Sequence, residues 1–219
     1  KSLGVKWLLN YLDNKISFEE AVNWLTDESI IFGDKKKVSE IVDSLYLEEG
    51  TYVDHTYSNI NLDSSFVPIL ELTTISIVDR SLKSAHMYLN ARGVSDFQIK
   101  KYDIRYCYEG RYVGRVIVPC YYKGEIVTFV GRDITARSPQ KYLNPTANKQ
   151  GDFLFNYDEV NGDLIVVAEG VFDAIAIGEV AVASFGKSLS QRQLELLRFY
   201  KEVVFYWDDD AYEQGERYA

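Results

Sequence analysis

From residue 163 onward, short apolar runs alternate with helical spacing, and no other feature restricts the possible folds as strongly. Leu164–Val167 reads as a strand, residues 171–179 as a helix and Val180–Ser184 as a second strand. Ser190–Tyr200 reads as a helix with Leu194, Leu196 and Leu197 inward, and Val203–Trp207 as a third strand. This order and spacing predict a parallel sheet with right-handed crossovers. Ligands of such sheets sit at the carboxyl ends of the strands. Two of the three strands end in acid, the first at Glu169-Gly170 and the third at Asp208-Asp209-Asp210. If those strands are neighbours, Glu169 meets the aspartates at one edge, and Asp173 points back to the same rim from the following helix.

Carboxylates gathered in this way repel one another unless a cation lies between them. Oxygen ligands without His or Cys suit Mg2+ or Mn2+, commonly as a pair of ions that hold a triphosphate and lower the pKa of an attacking hydroxyl. Glu169, Asp208 and Asp210 are the expected ligands, with Asp173 in support. In extended chain, residues two apart share a face, so Asp209 faces away from Asp208 and Asp210 and serves as a solvated or helix-capping residue. The competing structural reading makes the aspartates an acidic cap for the next helix.

The net charge of −9 is unevenly distributed. Residues 1–80 hold 7 Lys/Arg against 14 Asp/Glu, residues 81–150 hold 12 against 5, and residues 151–219 hold 5 against 14. A middle segment at +7 between acidic flanks points to a local surface for a polyanion, against the plainer reading of an ordinary charged face. Cys107, Cys120, His55 and His86 lack zinc-ribbon spacing, and both cysteines read as buried thiols in a reducing, cytoplasmic setting. No apolar run is long enough for a membrane span. Without an initiating Met or signal peptide, and with a helix beginning at its very end, the chain reads as a fragment.

Residues 1–50 read as helical, with Ser17-Phe18-Glu19-Glu20 forming a capping box and a second helix starting near Asp34. Residues 50–66 read as a linker or surface loop. Residues 80–101 return to helix, broken at Gly93 and capped again by Ser95. Val113–Tyr121 and Glu125–Arg132 form a hairpin about Lys123-Gly124. Its buried face is expected from Val116, Ile117, Val118, Ile126, Val127, Phe129 and Val130. The expected fold is α/β: helices over 1–50, a basic α+β subdomain over 51–160, and a parallel α/β subdomain over 161–219.

Glu169-Gly170-Val171-Phe172-Asp173 and Asp208-Asp209-Asp210 resemble the two acidic motifs of the Toprim fold. The turn Ala183-Ser184-Phe185-Gly186-Lys187-Ser188-Leu189-Ser190 is similar to the one between those motifs in DnaG-type bacterial and phage primases, and Gln193-Leu194-x-Leu196-Leu197 continues the similarity. Upstream, Tyr88-Leu89-Asn90-Ala91-Arg92-Gly93-Val94-Ser95, Gly114-Arg115-Val116-Ile117-Val118-Pro119, Gly131-Arg132 and Lys141-Tyr142-Leu143-Asn144 resemble primase elements in order. More loosely, residues 5–22 are similar to the tail of the primase zinc-binding domain, whose cysteines would lie upstream of this chain.

The resemblance implies a Toprim-type sheet and synthesis of short RNA primers from NTPs on single-stranded DNA. It implies Mg2+ or Mn2+ at Glu169, Asp173, Asp208 and Asp210, and zinc only in an upstream domain. By motif position it gives nucleotide or template contacts to Arg132 and Lys141, and more weakly to Arg115 and Asn144. A replicative helicase, separate or fused, and a bacterial or phage-infected cytoplasm complete the expectation. Two features depart from the family: Asp210-Ala211-Tyr212-Glu213-Gln214-Gly215 is two residues longer than the usual Asp-x-Ala-Gly, and the next acidic motif lies beyond the chain's end. A Toprim nuclease and an inactive nucleic-acid-binding module are the rival classes. A P-loop at Phe185-Gly186-Lys187-Ser188 lacks its first glycine, since Ala181 stands there.

Overall fold

The computed structural model describes residues 57–71 and 76–207, together with the two-residue strand β1 (Ile31–Phe32). The helices expected elsewhere in 1–50, and Asp208, Asp209 and Asp210, lie outside the described residues. The chain divides into two compact units, Thr56–Gln150 and a second formed by Gly151–Ala219 with Lys1–His55.

The first unit is built on an antiparallel meander of five strands in the order β2 (Phe66–Pro68), β3 (Arg105–Cys107), β4 (Arg115–Tyr122), β5 (Glu125–Asp133) and β6 (Tyr142–Leu143). The expected β4–β5 hairpin forms: Tyr122 pairs Glu125, and Lys123 (φ 54°) with Gly124 (φ 78°) makes a two-residue turn with both residues left-handed. Pro119 is tolerated inside β4 because β3 pairs only as far as Ile117, and the register shifts just beyond it, between Cys120 and Tyr121. The one-faced burial expected for the hairpin is corrected: β4 is buried without interruption from Arg115 to Cys120, so both faces are covered, whereas Ile126 is only half-buried. On one side Cys107, Ile117 and Phe129 form a cluster with Ile60, Leu62, Phe66 and Tyr112, and the Tyr112 and Phe129 rings meet edge to face at 4.9 Å.

One reading is sharpened and one changes. The described residues 57–63 have no helix or strand, as expected of a loop, but the loop is anchored: Ile60 N donates to Ile126 O at 2.7 Å, and Ile60 and Leu62 pack into that cluster. Their alternation with exposed Asn59, Asn61 and Asp63 is an extended-chain signal. Within 1–50, Ile31–Phe32 is strand rather than helix.

Helix α1 (Ser76–Asn90) buries Val78, Leu82, Ala85 and Leu89 at helical spacing. It stops where expected: Gly93 is left-handed (φ 79°), its N–H bonds Asn90 O, and Val94 N bonds Leu89 O in a Schellman close. Ser95 then caps α2 (Asp96–Lys101) in a reciprocal box with Gln98.

The second unit holds a sheet in the order β1–β9–β7–β8, made from β7 (Leu164–Ala168), β8 (Ala181–Ala183) and β9 (Glu202–Tyr206) in parallel, with β1 antiparallel at its edge. Helix α3 (Val171–Ile177) links β7 to β8, and α4 (Gln191–Leu197) links β8 to β9. β7 is central, and Ile165 to Ala168 are fully buried. Ser190 caps α4 with Gln193 in a second reciprocal box. The face expected for α4 is corrected: Gln193, Leu196 and Leu197 are buried, and Leu194 is only half-buried. Gln193 substitutes because its amide finds backbone partners, described below.

Candidate functional site

The acidic edge begins with strand order. β7 and β9 are parallel neighbours in register, Ala168 opposite Tyr206, so the two strands finish level. The condition on which the convergence of acids depended is therefore met for the strands. Glu169 follows Ala168 directly and is half-buried; Asp208 follows Trp207, the last described residue. Gly170 caps α3, and Asp173 lies in its first turn, where a carboxylate suits the helix dipole. A Cβ on Gly170 would stand 3.1 Å from Asp173 Oδ2, so the carboxylate leans over a position that a side chain would crowd. This cradle and its hard oxygen donors fit a divalent cation. Among the described residues, no three His, Cys, Asp or Glu side chains form a metal-binding group by themselves.

The neighbouring turn is fastened to the same edge. Ser184 N donates to Ala168 O at 3.0 Å, and Ser184 Oγ reaches both Ala168 O and Gly186 O. Phe185 then takes a left-handed φ of 62°, a strained state for a non-glycine residue. Gln193, 1% exposed, holds this turn from below: Nε2 donates to Ser184 O at 3.0 Å and Phe153 O at 2.8 Å, while Oε1 accepts from Ser190 N. α4 starts only at Gln191, so Lys187-Ser188 does not open a helix as a P-loop requires.

In the other unit, β5 and β6 carry the predicted basic residues. Arg132 pairs Tyr142 and Gly131 pairs Leu143. Arg132 is 9% exposed, its Cζ lies 4.8 Å from the centroid of the Tyr142 ring, and its Nε and Nη1 have no hydrogen-bond partner. Lys141 is exposed, and its carbonyl accepts from Asp133 N at 3.0 Å. Arg115 is buried at 3% exposure and donates to Gly131 O, Lys141 O, Ser138 Oγ and Gln140 O. Asn144 Oδ1 accepts from Gly131 N, and its Nδ2 donates to Gln150 Oε1. Burial pushes the Asp133 carboxyl up, but hydrogen bonds from Thr135 and Ser138 and the nearby Arg115 charge outweigh it, leaving the group below its usual range.

No family model matches the chain. The DNA primase of Synechococcus elongatus is 37% identical over 119 residues, which are 47% of this chain and 17% of that protein. The DNA primase of Clostridium acetobutylicum is 27% identical over 234 aligned positions, covering 89% of this chain and 38% of its own. The chain thus spans less than half the length of these curated relatives. Among solved structures, the Aquifex aeolicus primase with its zinc-binding and RNA polymerase domains has a TM-score of 0.57 at 21% identity, over 97% of this chain and 59% of that one. A DnaG primase catalytic domain bound to ssDNA has the same TM-score and identity over 84% and 65%. The chain is a relative of the DnaG-type primases.

With that primase-type fold in place, the predicted site residues sort by unit and by partner. Glu169 and Asp173 share the carboxyl end of β7 and the first turn of α3. Arg115, Arg132, Lys141 and Asn144 share the β4–β5–β6 end of the meander. Two residues beside the predicted ones escaped the sequence reading. Tyr142, within the Lys141-Tyr142-Leu143-Asn144 motif, supports the Arg132 guanidinium with its ring. Gln193 stands in a capping-box position, and the Ser-x-x-Gln spacing from Ser190 was the available signal. Cys107 and Cys120 are buried free thiols, as expected, and no helix among the described residues is long and apolar enough to cross a membrane.

Proposed function

We propose that this chain is the nucleotide-polymerising core of a DNA primase, making short RNA primers from NTPs on single-stranded DNA. The observation that carries this reading is the level ending of parallel neighbours β7 and β9, which run into Glu169 and toward Asp208. The names of the sequence relatives support it over cleavage of a phosphodiester, as does the match to a catalytic domain bound to ssDNA.

In this reading Glu169, Asp173, Asp208 and Asp210 hold Mg2+ or Mn2+. The chemistry such ions would supply is charge neutralisation for the triphosphate and a lower pKa for the primer 3′-hydroxyl. Arg132 and Lys141 neutralise triphosphate or template charge. Arg132 is suited to that task because its buried Nε and Nη1 lack partners, and an unpaired buried donor is costly until an acceptor arrives. The absence of a side chain at Gly170 leaves room for the Asp173 carboxylate over that position, and the Ser184 turn fixes the end of β7. A replicative helicase as partner, an upstream zinc-binding domain and action in a bacterial or phage-infected cytoplasm belong to the same proposal.

The test is incubation of the protein with single-stranded template, labelled NTPs and Mg2+ or Mn2+. Short RNA from the wild type, absent with Glu169→Gln and Asp208→Ala, is the expected result. Strand cleavage in place of synthesis would overturn the reading in favour of a nuclease.

A further inference from the structure

We infer that Arg115 is a positioning residue for Lys141. Its guanidinium clamps residues 138–141 onto β5, and that clamp, not contact with a nucleotide, is its part in the reaction. The inference rests on the proposed role of Lys141 as a nucleotide- or template-binding cation.

Arg115 lies on β4 opposite Asp133. Nη1 donates to Gly131 O at 3.1 Å and to Lys141 O at 3.4 Å; Nη2 donates to Ser138 Oγ and to Gln140 O, each at 2.8 Å. A buried positive charge is unfavourable unless its donors are satisfied, and here both terminal nitrogens are occupied by neutral protein oxygens. An incoming phosphate would have to displace these bonds. The acceptors lie on two chain segments, β5 and the strap leading to β6, so the flat guanidinium fork ties one to the other.

The strap is pinned again just beyond Lys141. Asp133 N donates to Lys141 O, and Asn144 Oδ1 accepts from Gly131 N. The Lys141 main chain is therefore held on both sides while its side chain remains exposed. A lysine at 115 would offer one compact ammonium and could not reach Ser138 and Gly131 together.

Two measurements on Arg115→Lys test this. Hydrogen exchange is expected to speed up at the amides of Asp133 and Gln140 and stay unchanged at the β4–β5 hairpin pairs. In primer synthesis, KM for NTP is expected to rise about tenfold, as loss of a charge-assisted hydrogen bond predicts. With kcat nearly unchanged, the effect lies in binding. Because Arg115 acts through Lys141, the double variant with Lys141→Ala should be no worse than Lys141→Ala alone. Unchanged exchange, or effects that multiply in the double variant, overturn the inference. If Arg115→Lys does not fold, Ser138→Ala removes one acceptor from the strap and is held to the same outcomes at smaller size. Wild-type protein that makes no RNA defeats the functional reading, while the exchange data still decide the clamp.

Discussion

Replacing Gly131 by alanine probes the joint between β5 and β6 most directly. Gly131 has an ordinary backbone conformation, so the argument is close approach. An added Cβ would collide with Leu143 O and would stand 3.4 Å from Arg115 Cδ and 3.5 Å from Ile117 Cδ1. Leu143 O is backbone and cannot swing aside, so β6 must move off β5. β6 pairs only through Gly131–Leu143 and Arg132–Tyr142, and it yields more easily than the hairpin does. Overpacking of this kind typically costs about 1–3 kcal/mol. At about 2 kcal/mol, a unit the size of Thr56–Gln150 should melt roughly 8–16 °C lower. Thermal unfolding followed by circular dichroism measures the drop, and hydrogen exchange at Asp133, whose N–H bonds Lys141 O, reports the displaced strand. Melting within about 2 °C of wild type, with Asp133 still protected, would refute the packing argument.

Three further outcomes follow from the geometry. Gln193→Leu keeps the volume but leaves Phe153 O, Ser184 O and Ser190 N without their partners, and should destabilise by about 2–4 kcal/mol in denaturant titration. Gly170→Ala places a methyl against Asp173 Oδ2 and should raise the Mg2+ needed for half-maximal primer synthesis several-fold while melting changes little; an unchanged Mg2+ requirement removes Asp173 from the ligand set. Burial, together with the bond from Tyr121 to Asp103 at 2.8 Å, pushes the Tyr121 phenol up to about 12. A raised folded pKa favours the protonated form, so its stabilising contribution is complete below the ordinary value of 10.0 and fades as pH climbs from there toward 12. Tyr121→Phe should flatten the alkaline end of the stability profile.

The elements legible in the sequence were those whose signal is local. Gly93 and Ser95 stop one helix and start the next through main-chain geometry set within a few residues, and Lys123-Gly124 turns β4 into β5 by the same means. The short strands β2, β3 and β6 carry no strand signal of their own. Each has three residues or fewer and is strand only because a neighbour offers it a ladder: β4 for β3, β3 in turn for β2, and β5 for β6. Burial of β4 on both faces was likewise out of reach, since covering a second face is a property of what packs there. Hydropathy points Leu194 inward, but Gln193 takes the inner position because its amide meets three backbone groups.

The site divides along the same line. Acids at strand ends can be recognised because strand ends are local, and the pairing of β7 with β9 supplies the one non-local fact that the reading required. Basic residues are harder, because composition records charge and not direction. Arg115, Arg132 and Lys141 contribute equally to the +7 segment, yet their surroundings give them different work. The Arg115 donors end on protein carbonyls and a hydroxyl, two Arg132 donors end on nothing, and the Lys141 side chain is exposed. Both terminal nitrogens of Arg115 are already bonded to protein, whereas Arg132 keeps a buried Nε and Nη1 without partners. Asn144, with both ends of its amide engaged, belongs with Arg115. In the proposed reading, the polyanion surface inferred from charge narrows to Arg132 on β5 and Lys141 on the strap, which the Arg115 guanidinium and the Asn144 amide tie to β5.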